Sequence, residues 1–180
     1  MKSRQAGFTL IELLVTLTVV AVLATLAVPS FRSLFIKRSV QSAADAFVID
    51  MRYARSEAIK RSAIVSLCRS NDQTSCSGAA WHAGWIVFVD FDGNGAVDAA
   101  AGDVVVRVQQ ELPNILSMQG VVPSSDQNIF IFQPAGWARA ADQTFILTPS
   151  GGDGAPFRRF ICVSPQGRAA LRAEGVTSCS

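Results

Sequence analysis

One acid, Glu12, stands alone in the apolar run Phe8-Thr-Leu-Ile-Glu-Leu-Leu-Val-Thr-Leu-Thr-Val-Val-Ala-Val-Leu-Ala-Thr-Leu-Ala-Val28. An isolated carboxylate in the middle of a membrane helix costs roughly 2.5–3.5 kcal/mol on insertion scales, so it calls for a named partner. A cut between Gly7 and Phe8 would create one. The new α-amine of Phe8 is a cation at the start of the helix, and Glu12 lies one turn along. Glu12 could neutralise the amine of its own chain or that of a neighbour in a stack of parallel helices. In hydrocarbon such a pair is strongly favoured over two separated charges. It would help to set axial register while apolar packing supplies most of the contact.

Other residues carry weaker chemical signals. Asp90-x-Asp92-x-Asn94-Gly95 begins like a calcium loop, with Asp98 at its ninth position, but the twelfth position holds Ala101 where a bidentate Glu belongs. The segment therefore reads first as a β-turn, with a weak calcium site at Asp90, Asp92, Asn94 and Asp98 as the alternative. Arg158, Arg159, Arg168 and Arg172 form an acid-free stretch. In an extended strand Arg168, Ala170 and Arg172 share a face, which could engage phosphates; solvated or subunit-facing arginines are the other reading. The four cysteines fall into two local pairs, Cys68/Cys76 and Cys162/Cys179. Neither has Cys-x-x-Cys spacing, and His82 is the only histidine, which argues against zinc. Two disulfides in an oxidising compartment are the simpler reading, against four buried thiols. Trp81, Trp85 and Trp137 read as core anchors. Nothing resembles a phosphate loop, a nucleophile elbow or a metalloprotease helix. No enzyme, cofactor or small-molecule substrate is expected.

The elements that position these residues follow from periodicity. The apolar run is 21 residues long, about 30 Å as a helix and enough to span a bilayer core. Lys2 and Arg4 precede it, so the charge rule puts the start in the cytoplasm and everything after Pro29 outside. A secretory signal cut near Ala24-Thr-Leu-Ala27 and a plain anchor also have this shape, but neither has a use for Glu12. Pro29 should end or kink the helix. The helical period then resumes: Val40, Ala44, Phe47, Met51, Ala54 and Ala58 make one face, and Glu57 with Arg61 makes an i,i+4 pair. Beyond Arg61 come short β-rich runs at Ile64–Cys68, Trp85–Asp90, Val104–Gln109, Ile115–Met118, Ile129–Gln133, Thr144–Thr148, Arg159–Ser164 and Arg168–Arg172, separated by Gly- and Pro-rich turns. The fold class is α+β. One long N-terminal helix, half transmembrane and half amphipathic, lies on an antiparallel β domain of two stacked sheets. The expected organisation is a leader at 1–7, a transmembrane helix at 8–28, an amphipathic helix at 29–61 and a globular β domain at 62–180.

Charge is patterned rather than large. The net formal charge is +2, with 16 basic and 14 acidic residues. Loss of Lys2 and Arg4 with the leader would leave 14 of each, so the mature chain is no polyanion binder by net charge. Arg32 to Arg61 is predominantly basic, with Arg32, Lys37 and Arg38 just past the apolar run. Asp90 to Asp126 is predominantly acidic, with Arg107 its one basic residue.

The segment Lys2-Ser-Arg-Gln-Ala-Gly-Phe-Thr-Leu-Ile-Glu12 resembles the class III leader of type IV prepilins and type II secretion pseudopilins, with Gly before the cut, Phe after it and Glu at the fifth mature position. The resemblance implies that a prepilin peptidase of the inner membrane cleaves after Gly7 and methylates the Phe8 amine. Gly84-Trp-Ile-Val-Phe-Val-Asp-Phe-Asp-Gly-Asn-Gly95 is similar to the strand and acidic turn of the GspH/FimT (FimU) group of minor pilins and pseudopilins, and Arg159-Phe-Ile-Cys-Val-Ser-Pro-Gln-Gly-Arg168 to that group's closing hairpin. This implies a low-abundance subunit at or near a filament tip that partners other pilins or pseudopilins. It would sit as a single-pass inner-membrane protein with a periplasmic C-terminal domain before assembly. FimT-like minor pilins carry a Gly-Arg-x-Arg tail that binds DNA. Here the second arginine is displaced, as Gly167-Arg168-Ala-Ala-Leu-Arg172, so DNA is a third candidate partner.

Overall fold

The computed structural model describes residues 7–121, 128–139, 143–151, 155–164 and 166–173. Helix α1 covers Leu10–Arg61 and is continuous across Pro29, so the proline does not end it. The chain divides into two compact units, Met1–Phe35 and Ile36–Ser180, and α1 contributes to both.

In the first unit the helix is apolar on every side from Leu13 to Leu23 apart from its threonines. Leu10, Ile11, Leu13, Leu14, Val15, Leu17, Val19, Val20, Val22 and Leu23 are all exposed. Its few hydroxyls are satisfied internally: Thr16, Thr18 and Thr25 donate to the carbonyls of Leu13, Val15 and Val22 at 2.9, 2.8 and 2.7 Å. These three threonines thus donate within the helix, as a low-dielectric surrounding favours. The helix is long and apolar enough to cross a membrane.

In the second unit, the predicted helix face is the core face. Val40, Ala44, Phe47, Met51, Ala54 and Ala58 are all fully buried. Nine strands follow among the described residues: β1 (Val65–Arg69), β2 (Trp85–Val89), β3 (Val104–Gln109), β4 (Ile115–Gly120), β5 (Ile129–Phe132), β6 (Ala138–Arg139), β7 (Gln143–Pro149), β8 (Arg159–Val163) and β9 (Ala169–Leu171). Eight were predicted to within two residues. The ninth, β6, is two residues long, too short to show a period. A 3₁₀ turn at Trp81–Ala83 was also not predicted.

The strands form a five-stranded sheet in the order β3-β2-β1-β5-β6 and a four-stranded sheet in the order β4-β7-β8-β9, antiparallel throughout. One core joins helix and sheets. Phe47 is its hub, with ring centroids 5.3 Å from Trp85 and 6.2 Å from Phe130 in the first sheet and 5.2 Å from Phe145 in the second. The β8–β9 turn reaches back to β6 at Gly167. Its φ is +74°, and a Cβ there would come within 2.6 Å of the Ala138 Cβ, so only glycine closes this corner.

Of the three tryptophans, Trp81 and Trp85 are core anchors as expected, whereas Trp137 is half exposed. It occupies the short Gln133–Trp137 turn, where the Trp137 carbonyl accepts from the Gln133 N–H at 2.8 Å, and the indole lies at the surface.

A polar cluster inside the core fixes the helix against the five-stranded sheet. Asp50 is buried. Trp85 Nε1 donates to its Oδ2 at 2.9 Å, and Arg107 Nε sits 2.5 Å from Oδ1 as a charge contact rather than an aligned hydrogen bond. The Arg107 guanidinium also lies 5.2 Å from the centre of the Tyr53 ring. Burial pushes the Asp50 carboxyl above its ordinary value, and Trp85 and Arg107 pull it back. At the end of α1, Glu57 takes Arg61 Nε at 2.5 Å and Lys60 Nζ at 3.2 Å, which holds its carboxyl below the usual range.

Asp50→Ala strands the Trp85 indole N–H in the core and should lose about 2–3 kcal/mol in urea unfolding of the full-length protein in detergent. Trp85→Phe should lose about 1–2 kcal/mol, and the double variant should fall short of the sum by about 1 kcal/mol. Strictly additive losses would show that the bond contributes nothing.

Cys68 and Cys76 form the expected disulfide across a separation of 8 residues. Removing it with the double change Cys68→Ser and Cys76→Ser should lower stability by about 2–3 kcal/mol, the loop-closure value for a ring of that size. The same denaturation curves on the double variant and the wild type measure the effect.

Candidate assembly helix, acidic loop and basic sheet face

The start of α1 is built around Thr9. Its Oγ1 accepts from the Glu12 N–H at 3.3 Å, and its carbonyl accepts from the Leu13 N–H at 3.2 Å. Thr9-x-x-Glu12 therefore has capping-box spacing, with Thr9 as N-cap and Glu12 at the third helical position. A carboxylate there also meets the positive end of the helix dipole. Sequence reasoning assigned Glu12 to the Phe8 amine and missed this second role, although the Thr-x-x-Glu spacing was there to be read. Phe8 is exposed at 88%, so the residue at the expected cut is not packed into its own chain.

The acidic segment closes over the outer face of the five-stranded sheet. Asp90 directly follows β2 and Asp103 directly precedes β3, and the pairing of Val89 with Val104 brings these two ends together. Asp90 is fully buried. Its Oδ2 accepts from Ser66 Oγ at 2.8 Å and from the Gly95 N–H at 3.0 Å. Burial pushes its carboxyl up, the hydrogen bonds oppose this, and the Asp103 charge adds to the rise. Asp103 accepts from the Phe91 N–H at 2.8 Å and the Asp98 N–H at 2.9 Å. One oxygen each of Asp90, Asp92 and Asp103 lies within 4.8 Å of the others.

Of the calcium set expected from sequence, Asp90 and Asp92 lie together, and Asn94 and Asp98 turn elsewhere. Asn94 turns its amide to Asp92 Oδ2 and its oxygen to the Ala96 N–H, at 2.7 and 2.6 Å. Asp98 Oδ1 takes the Ala100 N–H at 2.8 Å. Neither belongs to the carboxylate group. Asp103 takes their place because strand pairing, which loop spacing does not encode, delivers it.

Next to this loop, the Cys68–Cys76 disulfide closes a second one. Asp72 organises it, accepting from the Thr74 and Ser75 N–H groups at 3.0 and 2.9 Å and from the Ser70 and Ser75 hydroxyls at 2.9 and 2.5 Å. These donors, Ser75 first, hold its carboxyl well below the ordinary range. Cys76 Sγ lies 3.5 Å from the Gly95 carbonyl oxygen, so the two loops touch. The other expected pair, Cys162–Cys179, involves a residue outside the described ones.

The arginines divide between two faces. Arg159 is opposite Leu147 and in phase with Ile161 and Val163, so it is on the core side of the four-stranded sheet. Arg168 is opposite Ser164 and Arg172 opposite Phe160, in phase with Cys162 and Ala170. With Arg158 they belong to the outer face, where Arg172 Nε reaches Cys162 Sγ at 3.2 Å. The expected cluster of four is therefore three plus one, because adjacent strand residues point to opposite sides. His82 is a linker: its carbonyl accepts from the Leu112 N–H at 2.9 Å. No catalytic constellation surrounds it among the described residues.

The prokaryotic N-terminal methylation motif matches residues 2–28, the segment that holds Gly7, Phe8 and Glu12. The family described as type II transport protein GspH matches residues 43–167, from the core-facing part of α1 to the β8–β9 turn. No curated protein sequence matches the chain. In structure the chain is similar to the type IV minor pilin FimU of Pseudomonas aeruginosa (strain PAO1) in two crystal forms. One has a TM-score of 0.59 at 19% identity and covers 79% of this chain and 95% of that one. The other has a TM-score of 0.57 at 20% identity and covers 78% and 98%. At these identities the likeness is one of fold, the pilin-like helix and two antiparallel sheets expected from sequence. The family match spans more than half of the chain and runs through both sheets, and on that basis the chain belongs to the GspH family.

Proposed function

We propose that this chain is a minor subunit that primes or caps assembly of a type IV pilus. The observation that carries the reading is the first part of α1, whose apolar side chains have no cover in their own unit and whose one charge is Glu12. Such a helix needs hydrocarbon first and neighbouring helices later. Prepilin peptidase cleaves after Gly7, the Phe8 amine is methylated, and Glu12 neutralises that amine in the same or an adjacent subunit as the helix leaves the inner membrane. The C-terminal domain lies in the periplasm and meets one or two partner subunits at the filament tip. The likeness to FimU supports a pilus. The family's description supports the neighbouring reading, a type II secretion pseudopilin whose filament pushes cargo outward. Deleting the gene separates them, since loss of surface pili with normal secretion is expected and the reverse would replace the pilus by the secretion filament.

Mass spectrometry of the native protein should find a mature N-terminus at N-methylated Phe8. A chain beginning at Met1 or Val28, with none at Phe8, would overturn the reading. Glu12→Ala should leave membrane insertion intact and lower filament number about tenfold or more, because an unpaired amine in hydrocarbon costs more than the ~1.4 kcal/mol that a factor of ten represents.

A second reading, DNA capture, is favoured by Arg158, Arg168 and Arg172 sharing the outer face of the four-stranded sheet. In a shift assay with full-length protein in detergent, binding should fall steeply with salt. Changing Arg168 and Arg172 to Ala should reduce the salt slope by about 2, while Arg159→Ala, on the other face, should leave it unchanged. Absent or salt-insensitive binding rules DNA out.

A further inference from the structure

We propose that Asp90, Asp92 and Asp103 form a binding site for a hard divalent cation of calcium size in the loop that joins β2 to β3. The inference holds for a pilus and for a secretion filament alike. The three carboxylates come from different places in the chain: the end of β2, the turn beyond it and the residue before β3. Each supplies an oxygen within 4.8 Å of the other two. Oxygens bound to one calcium at about 2.4 Å can be up to about 4.8 Å apart, whereas magnesium at about 2.0–2.1 Å demands a tighter set.

The independent observation is Asp90 itself. It is 0% exposed; its Oδ2 is bonded to Ser66 and Gly95, the Gly93 N–H also acts on the carboxyl, and its Oδ1 is buried without an aligned hydrogen bond. A buried carboxylate oxygen in that state requires a partner. A proton would satisfy Asp90 alone and leave Asp92 and Asp103 crowded beside it. Among the described residues no lysine or arginine forms an ion pair with any of the three. A cation answers all three at once. Oxygen-only donors select a hard ion over zinc or copper, and the exposed position of Asp92 gives it an entry path. Asp92 and Asp103 also accept hydrogen bonds within the loop, but each carboxylate oxygen retains a lone pair for metal.

The test uses full-length protein in detergent, stripped with a chelator and titrated with calcium chloride by calorimetry, with Tm recorded in parallel. The expected result is saturable binding of one calcium per chain, with a Kd of about 0.1–1 mM as for extracellular modules, and a Tm that rises with calcium. Magnesium should give a smaller rise. Asp92→Ala should abolish binding while keeping the chelator-treated Tm, since its side chain bonds only to Asn94. Asn94→Ala and Asp98→Ala should bind like the wild type. The proposal is overturned if folded wild-type protein shows neither heat nor a Tm shift up to ~10 mM calcium, about tenfold beyond the weakest such sites. It is equally overturned if Asp92→Ala binds normally, or if Asp98→Ala loses binding while Asp92→Ala keeps it, which would point to the linear loop set instead.

Discussion

A helix with two different surroundings governs this molecule. Between Leu10 and Leu23, ten large aliphatic side chains are exposed. A fully exposed side chain of this kind gains about 1.5–3 kcal/mol on burial, and these are a little over half exposed, so the drive to cover them is on the order of 10–20 kcal/mol, as large as the roughly 5–15 kcal/mol that typically separates a folded domain from its unfolded state. Beyond Ile36 the same helix carries a single apolar stripe and buries it against its own sheets. Glu12 gains its meaning from this contrast. At the start of a soluble helix it would be an ordinary capping acid. At the start of a helix that must live in hydrocarbon, the capping bond uses a backbone N–H and leaves the carboxylate charge still to be neutralised.

The stripe that ends in the domain core was plain in the sequence because helix and strand periods are properties of short windows. Val40 to Ala58 follow the 3.6-residue period, and β7 alternates without a break, with Phe145 and Leu147 inward and Thr144, Ile146 and Thr148 outward. What escaped notice depends on contacts between distant windows. Asp50 lies three past Phe47 and four before Ala54, on the edge of the core face, but its charge reads as solvated until Trp85 and Arg107 arrive from β2 and β3. Asp103 reads as a loop acid until strand pairing sets it beside Asp90. Arg159 looked like one of four neighbours because the charge count ignores the pleat. Trp137 was placed in the core by its size, but a five-residue turn gives it no layer to enter. Pro29 was expected to interrupt the helix on local grounds, yet the apolar run and the amphipathic run continue on either side of it.

The polar groups inside the domain do different work from the apolar ones. Phe47 contacts aromatic rings from both sheets, and those contacts would tolerate a modest slide of the helix. The hydrogen bond from Trp85 to Asp50 would not, because a carboxylate that loses its donors in the core must take up a proton. The helix is therefore held at one axial setting by a directional bond and held down by a non-directional one.

The two outer sheet faces have opposite fates. The five-stranded sheet has its outer side roofed by the disulfide loop and the acidic loop, which is why the Trp85–Val89 strand is buried on both sides and reads as an unbroken apolar run. The four-stranded sheet has no such roof among the described residues. Leu116, Val121, Arg158 and Arg168 are exposed on it, and Ile146 and Phe160 are only half covered. A partially apolar sheet face with a positive rim is expensive to leave in water and does not complement itself, since identical basic rims repel one another.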